Sequence, residues 1–420
     1  MSPPPLPCAP PDRTDPDPVH VLDNGVRVVV RPEPDHPAVA LGVWVENGSR
    51  YEGPGEGGLA HLLEHMLFKG TRERSVRDLA EAMDRMGSEV DAWTGRELTA
   101  YTVEVLREDA PEALHLLAEM IVRPTFPEEE LARERQVVAA EAAMVREDPE
   151  AWLFDELVGE AWPRHPAGAP ILGRPEVIGG ATRDVLAAFH RSHYTGGRIL
   201  VGVAGDVDPS AVVEQCAREF GALPAGERPA SPAPAFAPGN SLRHGPVEQV
   251  HLGRAAPGPA RTDGARFAAG VANHVLGGSV TSRLFRELRE ERGLAYTVYS
   301  ELDTLRDCGL WGVYLACPPG QRERAGELVD GILRGVVEDG LEAQEVERAR
   351  HSLRSGLLRS GETLEQRLSQ AAGDVLYHGR LVPRAERLAA LEAVDAHAVQ
   401  AVLRDHWAGY HEMVLLPHEH

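Results

Sequence analysis

The sequence predicts an α+β fold made of two related halves, each a sheet covered by helices. Three observations carry this prediction. Strand-like and helix-like segments follow one another in the first half, a proline-rich segment lies near the middle of the chain, and the two sides of that segment resemble each other weakly. A chain of 420 residues is also too long for a single core, and its 43% hydrophobic and 26% charged residues are typical of folded globular proteins.

A β-hairpin is predicted at the start of the first half. Val19 to Leu22 and Val26 to Val30 flank Asn24-Gly25, a dipeptide that favours a two-residue turn between antiparallel strands. The preceding residues, 1–18, are rich in proline and are expected to form a disordered tail. The first sheet is therefore expected to begin at Val19.

Periodicity predicts the next elements of the first half. Ala38 to Val45 is an apolar run typical of a buried strand, and apolar residues at helical spacing predict a helix at Gly57 to Phe68. Ser75 and Asp78 match a capping box that would begin a helix over Val76 to Arg85. The other predicted elements are a strand at Tyr101 to Val105, helices at Ala110 to Val122 and from Pro127 through Arg146, and a strand at Ile199 to Val203.

The segment Pro224 to Ser241 is rich in proline, alanine and glycine and is predicted to be an interdomain linker. It would separate a first domain, residues 19–223, from a second, residues 242–420. The stretch that begins at Glu64 matches the stretch that begins at Asn273 in apolar spacing and in its glycine-containing turns. Chance similarity between two α/β segments is the alternative, but a linker at the expected midpoint favours a true repeat.

Charge and composition exclude several classes of function. The chain has 43 basic and 65 acidic residues and a net charge of −22, which disfavours a nucleic-acid partner. No apolar stretch approaches the roughly 20 residues of a membrane-spanning helix, so no membrane partner is expected. The start lacks the basic region and apolar run of a secretory signal, and the four cysteines form no CxxC pair. A reducing cytoplasm is therefore the predicted location.

The predicted helix from Gly57 to Phe68 contains an HxxEH pattern, formed by His61, Glu64 and His65. Residues four apart on a helix stand one turn above each other, so both imidazoles would project from one face at a spacing that suits a single zinc ion. The Glu64 carboxylate would lie at the edge of that site, where it could take a proton from a zinc-bound water. A third protein ligand is still required.

A solvated polar helix face is the alternative interpretation of this pattern. The neighbouring residues argue against it, because Leu59, Leu62, Leu63, Met66 and Leu67 indicate a mostly buried helix. Unpaired histidines and a glutamate would be costly in such a helix, and a bound metal would satisfy them.

The segment Gly58 to Thr71, GLAHLLEHMLFKGT, resembles the zinc motif of the inverzincin metallopeptidases of the pitrilysin and insulinase type. Within that family, the chain is most similar to the two-domain branch that resembles the mitochondrial processing peptidases. The resemblance implies a third zinc ligand about 76 residues after His65, where Glu141 stands, and a supporting glutamate at Glu134. An ordinary charged helix face is the alternative for both glutamates.

The same resemblance implies substrate-binding residues in both halves. Asp91 to Tyr101 is similar to an edge strand that pairs with an extended peptide, which assigns Ala92, Trp93 and Thr94 to substrate binding. The family usually has asparagine where this chain has Asp91, and Trp93 could instead belong to the core. In the second half, Arg289 and Tyr296 match an arginine and a tyrosine that hold the substrate backbone and help to stabilise the oxyanion.

The second half does not repeat the metal site. Gly270, Asn273 and His274 stand where the first half has His61, Glu64 and His65, so one zinc ion per chain is expected. The family likeness also implies the architecture, which is two α/β-roll halves with mainly antiparallel sheets that together form half of a clamshell.

The leading hypothesis is a zinc-dependent endopeptidase that hydrolyses short or unfolded peptides. Two-domain relatives commonly pair two chains face to face, which implies a homodimer whose Arg289 and Tyr296 act across the dimer. A heterodimer with a related chain is the alternative. A noncatalytic structural or partner subunit, and a protein that stores or senses zinc, are the competing functions, and peptide cleavage abolished by chelation would separate the enzyme from both.

Overall fold

Two sheets form the framework of the protein, and its computed structural model describes residues 19–418. The predicted tail, residues 1–18, lies outside the described residues. The first sheet contains β1 (His20–Val21), β2 (Arg27–Pro32), β3 (Ala38–Val45), β4 (Asp91–Thr94), β5 (Thr99–Leu106) and β6 (Ile199–Gly205). The second contains β7 (Gly239–Gly245), β8 (Val250–Gly258), β9 (Thr297–Thr304), β10 (Gly309–Cys317) and β11 (His411–Pro417).

The two sheets have the same topology. The first has the spatial order β1-β2-β6-β3-β5-β4 and the second the order β7-β11-β8-β10-β9. Apart from β1, each strand of the first sheet thus has a counterpart in the second. The pairs β2 with β6 and β7 with β11 are parallel, and the other pairs are antiparallel. The predicted fold, two related halves with mainly antiparallel sheets, is confirmed.

Fourteen α-helices surround these sheets within residues 19–418. The first half contributes α1 (Leu59–Leu67), α2 (Val76–Arg85), α3 (Ala110–Val122), α4 (Glu128–Glu147), α5 (Pro149–Ala161), α6 (Pro175–Gly180), α7 (Arg183–His193) and α8 (Pro209–Phe220). The second contributes α9 (Arg266–Leu276), α10 (Arg322–Glu338), α11 (Ala343–Arg359), α12 (Leu364–His378), α13 (Arg384–Glu392) and α14 (Ala396–His406). No helix in this part of the chain is both long and apolar enough to span a bilayer.

Several segments form the structures that their local sequence patterns predict. His20 pairs with Val28 across the predicted hairpin, and β3 and α3 have the predicted bounds. Ser75 and Asp78 form the predicted capping box at the start of α2. The segment from Asp91 to Tyr101 differs from expectation, because a turn divides it into β4 and the start of β5. Only β4 lies at the edge of the sheet.

Each sheet is covered on one face by a helix from the other half. Helix α12 of the second half packs on the first sheet, where Leu368 and Val375 join a buried cluster with Trp44 and Leu200. Because these side chains are nearly inaccessible to solvent, the first sheet has no complete core without the second half.

Helix α5 likewise packs on the sheet of the opposite half. It belongs to the first half but packs on β8 and β11 of the second sheet. Leu153 and Leu157 form a buried cluster there with Leu310, Met413 and Leu415. The two halves therefore share their cores and are held in one fixed arrangement.

A buried ion-pair cluster also joins the halves to the segment between them. Glu46 is 1% exposed and contacts Arg27 of the first half, Arg228 of the predicted linker and Arg306 of the second half. Arg50 adds a hydrogen bond of 3.1 Å to the carbonyl oxygen of Pro232. The predicted linker, residues 224–241, has no helix or strand before β7 begins at Gly239, yet it is anchored by these contacts.

Candidate metal centre

Helix α1 carries three of the predicted site residues and is fixed at its N-terminus. Gly58 precedes the helix with a φ of 94°, a left-handed conformation that favours glycine. The buried carboxylate of Glu52 accepts hydrogen bonds from the N–H groups of Gly58 and Ala60, at 2.9 and 2.8 Å. Burial raises the pKa of Glu52 to about 7, although these hydrogen bonds oppose the rise. This arrangement fixes the direction from which α1 enters the site.

His61 and His65 of α1 meet Glu141 of α4. The Nε2 atoms of both histidines lie 3.6 Å from the same oxygen of Glu141, Oε2. One donor atom from each residue lies within 4.8 Å of the other two. All three side chains are partly buried, with 12%, 17% and 37% of their side-chain surfaces exposed. The structure therefore brings together the two histidines and the glutamate that the sequence assigned to the metal.

This trio has the dimensions of a tetrahedral zinc site. Zinc binds histidine nitrogens and carboxylate oxygens at about 2.0 to 2.2 Å, so two ligands of one tetrahedral ion lie about 3.3 to 3.5 Å apart. The observed 3.6 Å separations from each imidazole to the carboxylate nearly match that value. Two nitrogens and one oxygen also suit zinc chemically and leave a fourth position for water or substrate.

The protonation states of the histidines favour metal binding. Burial, together with the neighbouring His65, lowers the pKa of His61 to about 4, so its imidazole is neutral at pH 7 and its nitrogen is free to coordinate. His65 Nδ1 lies 2.9 Å from Glu134 Oε2. A carboxylate at this nitrogen selects the tautomer that carries a proton on Nδ1 and leaves Nε2 available to the metal. Glu134 thus occupies the supporting position that the sequence predicted.

Burial would by itself raise the pKa of Glu134, but hydrogen bonds from Lys69 and His65 outweigh it and hold the pKa below its usual value. Lys69 Nζ lies 2.9 Å from Glu134 Oε1. The carboxylate is therefore charged at neutral pH, as an acceptor for His65 must be.

Glu64 lies beside the trio without belonging to it. The residue is 8% exposed, and one of its carboxylate oxygens accepts a hydrogen bond from the hydroxyl group of Thr94. Burial raises the pKa of Glu64, an effect that the hydrogen bond from Thr94 and the neighbouring His65 oppose. A raised pKa brings a carboxylate closer to the operating pH and suits a group that accepts and returns protons.

The predicted substrate-binding residues form the edge strand β4. No described strand pairs with the outer side of β4, so its backbone groups face outwards. Trp93 is 46% exposed, and the alternative that it belongs to the core is wrong. Ala92 packs partly against the first core, and the Thr94 side chain binds Glu64 instead of pointing to the open edge. The edge strand is thus in direct contact with Glu64, which lies beside the metal-binding trio.

Arg289 and Tyr296 contact each other in the second half of the chain. The Arg289 guanidinium lies 4.6 Å from the centre of the Tyr296 ring, and Tyr296 is 75% exposed. Neither side chain forms a hydrogen bond or an ion pair with the histidine and glutamate trio within residues 19–418. Within the described residues, these predicted catalytic residues and the metal-binding trio therefore make no such direct contact.

In the second half, hydrogen bonds between protein groups replace the metal site. The Asn273 side-chain oxygen, at the position that corresponds to Glu64, accepts hydrogen bonds from Ser300 Oγ at 2.7 Å and from Trp311 Nε1 at 2.9 Å. Burial lowers the pKa of His274. Within the described residues, His274 belongs to no group of three or more histidine, cysteine, aspartate or glutamate side chains that could hold a metal. The side-chain oxygen of Asn273 thus has its hydrogen-bonding partners within the protein.

A second cluster of metal-binding residue types is present in the first half, formed by Glu73, His115 and Glu119. Its carboxylates already have cationic partners. Arg74 binds Glu119, and Arg123 Nε lies 3.1 Å from Glu73. Because arginines neutralise both acids, this cluster is an ion-pair network and is a poor candidate for a metal site.

Sequence reasoning missed three contributors to the site. They are Glu52 at the start of α1, Lys69 next to Glu134, and the hydroxyl group of Thr94, which was assigned to substrate binding. The contact between Thr94 and Glu64 joins residues 30 positions apart, which no local pattern connects. Lys69 did carry a signal, because it is the only lysine in the chain.

Family models match most of the chain. Residues 27–174 match the model described as insulinase, peptidase family M16, and residues 180–353 match the model described as the peptidase M16 inactive domain. The second match includes Asn273 and His274, where the metal site is absent. Both agree with the resemblance that the zinc motif indicated.

Related proteins support the same family. A protein of Mycobacterium tuberculosis, named as an uncharacterized zinc protease, is 37% identical over 91% of this chain and 89% of its own length. A protein of Bacillus subtilis with the same description is 34% identical over 92% of this chain and 94% of its own length.

Solved structures show the same fold. A peptidase M16 inactive domain from Pseudomonas fluorescens has a TM-score of 0.88 at 23% identity, covering 96% of this chain and 98% of that one. A protease from Helicobacter pylori has a TM-score of 0.88 at 22% identity, covering 96% and 100%. From the matched models, the similar relatives and the shared architecture, the chain belongs to the insulinase family of peptidases, peptidase family M16.

Proposed function

We propose that this protein is a zinc-dependent endopeptidase that hydrolyses short or unfolded peptides. The convergence of His61, His65 and Glu141, with the Glu64 carboxylate beside them, is the observation that carries the proposal. The family and the relatives named as zinc proteases support the general class, a zinc peptidase. The substrate and the mechanism rest on the chemistry of the site.

The residues of the site suit a hydrolysis without a covalent enzyme intermediate. His61, His65 and Glu141 would hold one zinc ion, and two neutral imidazoles with one carboxylate leave a net charge of +1 at the site. When bound, zinc would supply a Lewis acid that makes water more acidic and polarises a peptide carbonyl. Glu64 would accept the proton of the attacking water and then donate it to the leaving amine. Thr94 holds one oxygen of Glu64 in place for both transfers.

The free edge of β4 supports binding of an extended peptide. A substrate strand that pairs with the backbone of β4 would run beside Thr94, and Thr94 contacts Glu64. The exposed ring of Trp93 offers apolar surface for a substrate side chain. An extended conformation is available to short or unfolded peptides, which is why we propose them as substrates.

One zinc ion per chain is part of the proposal. Asn273 has its hydrogen-bonding partners in the second half, and arginines neutralise the cluster that contains Glu119.

The three cysteines within the described residues are free thiols, which agrees with a cytoplasmic location.

A homodimer would complete the active site. Arg289 and Tyr296 do not contact the metal centre of their own chain, and Tyr296 is exposed. In a face-to-face dimer, each chain could present this pair to the zinc half of the other. A heterodimer with a related chain would serve the same purpose.

Zinc removal provides the direct test of the proposed function. Incubation with a library of short random peptides should yield internal cleavage products, and a chelator should abolish the cleavage because the attacking water would lose its Lewis acid. Addition of zinc should restore activity. Mass spectrometry of the products and metal analysis of the protein are the measurements. A protein that binds zinc but cleaves no peptide would instead favour a noncatalytic partner subunit.

Mixing two inactive variants tests whether the site is shared between chains. Glu64→Gln chains and Tyr296→Phe chains should each be impaired, and the mixture should recover about a quarter to a half of the wild-type turnover if subunits exchange and sites form in trans. Phenylalanine keeps the ring that packs on Arg289 and removes only the hydroxyl group. No recovery, with native mass spectrometry showing mixed dimers, would contradict the trans arrangement.

A further inference from the structure

We propose that Lys69 is a positioning residue for the metal centre, which it organises by holding Glu134 against His65. The inference rests on the proposed zinc function and goes beyond it, because His61, His65 and Glu141 account for the metal ligands without any role for Lys69. It predicts that removing the charge of a residue that touches neither zinc nor substrate weakens zinc binding.

Lys69 lies just after the C-terminus of α1. Its backbone N–H donates a hydrogen bond of 3.2 Å to the carbonyl oxygen of Met66, so the last turn of the helix fixes the start of the side chain. A cation at a helix C-terminus is also favoured by the helix dipole. The ammonium nitrogen lies 2.9 Å from Glu134 Oε1, and 25% of the Lys69 side-chain surface is exposed.

The two oxygens of Glu134 have separate partners. Oε1 binds Lys69, and Oε2 lies 2.9 Å from His65 Nδ1. The Glu134 side chain is only 8% exposed, so water cannot readily replace a lost partner. Without Lys69, the buried carboxylate would keep only its hydrogen bond with His65 and would be held less firmly in the orientation that this bond requires.

The alignment of His65 determines the geometry of the metal site. The Nε2 atom of His65 must stay about 3.6 Å from Glu141, and its Nδ1 atom must keep the proton. Both requirements depend on the Glu134 carboxylate, which belongs to α4 as Glu141 does. Lys69 therefore ties the end of α1 to the helix that supplies the third ligand.

Lysine has a specific advantage at this place. The chain contains 43 basic residues, and Lys69 is the one lysine among them. An ammonium group is a compact charge that can occupy a single oxygen, whereas the guanidinium fork of arginine tends to bind both oxygens of a carboxylate. At Glu134 the second oxygen is needed by His65. This difference explains why a chain that otherwise uses arginine has lysine here.

The test compares zinc affinities by competition with a chromophoric chelator. Lys69→Met should bind zinc at least about tenfold more weakly than the wild type, the lower end of the range for groups that contact a metal ligand, because Lys69 acts through Glu134. Lys69→Arg retains the charge, but its guanidinium group can also bind the Glu134 oxygen that His65 uses, so its affinity should fall between those of Lys69→Met and the wild type. Arg77→Met breaks an exposed ion pair with Glu81 and should leave the affinity unchanged. Circular dichroism should show the same helix content in all variants.

The single lysine allows a second test on the unmutated protein. Acetylation of the metal-free wild type removes the Lys69 charge, whereas reductive dimethylation retains it. Acetylation should weaken zinc binding at least tenfold, and dimethylation should not. Lys69→Arg has no lysine side chain left to react, so the same reagents measure any effect of the α-amino group. Peptide mass spectrometry confirms the extent of modification.

The outcomes separate the inference from the function on which it rests. Unchanged zinc affinity in folded Lys69→Met, or in wild type fully acetylated at Lys69, would overturn the role of this residue. Dimethylated wild type that binds zinc as weakly as the acetylated wild type would also overturn it, because the charge would then not matter. A wild-type protein that binds no zinc would instead contradict the proposed function.

Discussion

Replacing Glu64 with glutamine should abolish peptide cleavage while zinc binding stays at the wild-type level. Glu64 lies outside the trio that would hold the ion, so the ligand set of His61, His65 and Glu141 remains complete. Glutamine has nearly the same shape, and its amide oxygen can still accept the hydrogen bond from Thr94. The amide cannot take a proton from water, and loss of a general base costs about 10²- to 10⁴-fold in rate.

The measurements are the turnover of a cleaved peptide at saturating substrate and the zinc content of the same sample. Glu104→Gln, on the exposed side of β5, is the matched control and should behave as the wild type. A Glu64→Gln protein with an empty metal site would mean that Glu64 is a ligand. Turnover within threefold of the wild type would mean that another group acts as the base.

Local structure could be predicted from the sequence because its causes are local. The apolar run of β3, the capping box of α2 and the hairpin at Asn24-Gly25 each depend on residues within about ten positions of one another. The repeat was also detectable, because the same order of elements produces the same spacing of apolar residues in both halves. These signals were sufficient for the fold class.

The exchange of α5 and α12 between the sheets could not be predicted in this way. A periodic apolar face shows that a helix is buried, but it does not show which sheet buries it. Leu153 and Leu368 have the same pattern of neighbours as any core leucine, and each packs in the half to which it does not belong. Only the three-dimensional arrangement distinguishes a helix that covers its own sheet from one that covers its partner.

The candidate site likewise contains features that the sequence could predict and features that it could not. The spacing of His61, Glu64 and His65 is a property of one helix, and the family likeness supplied Glu141, so these four residues could be named before their geometry was known. The contact of Thr94 with Glu64 spans 30 residues, and no pattern in the sequence encodes it. The sequence also does not show whether Arg289 and Tyr296 contact the metal trio, because it does not show how the two halves are joined.

Replacing Glu141 with alanine should remove zinc and activity together. Glu141 is the one residue of the trio outside α1, and its Oε2 atom lies 3.6 Å from both imidazole nitrogens. Without it, two histidines on one helix would hold the ion alone, fewer than the three protein ligands that catalytic zinc sites use. Zinc affinity should fall by about 100-fold or more, because even residues that only support ligands cost about 10- to 100-fold.

The effect should come from the metal and leave the fold intact. Glu141 has 37% of its side-chain surface exposed, so alanine leaves no buried cavity and the melting temperature of the metal-free protein should stay close to that of the wild type. Glu129→Ala removes an exposed glutamate from the same helix, α4, and should retain zinc and turnover. Zinc content and peptide cleavage should be measured on the same sample. A full zinc complement in folded Glu141→Ala would require a different third ligand. Full activity without Glu141 would contradict the proposed metal centre.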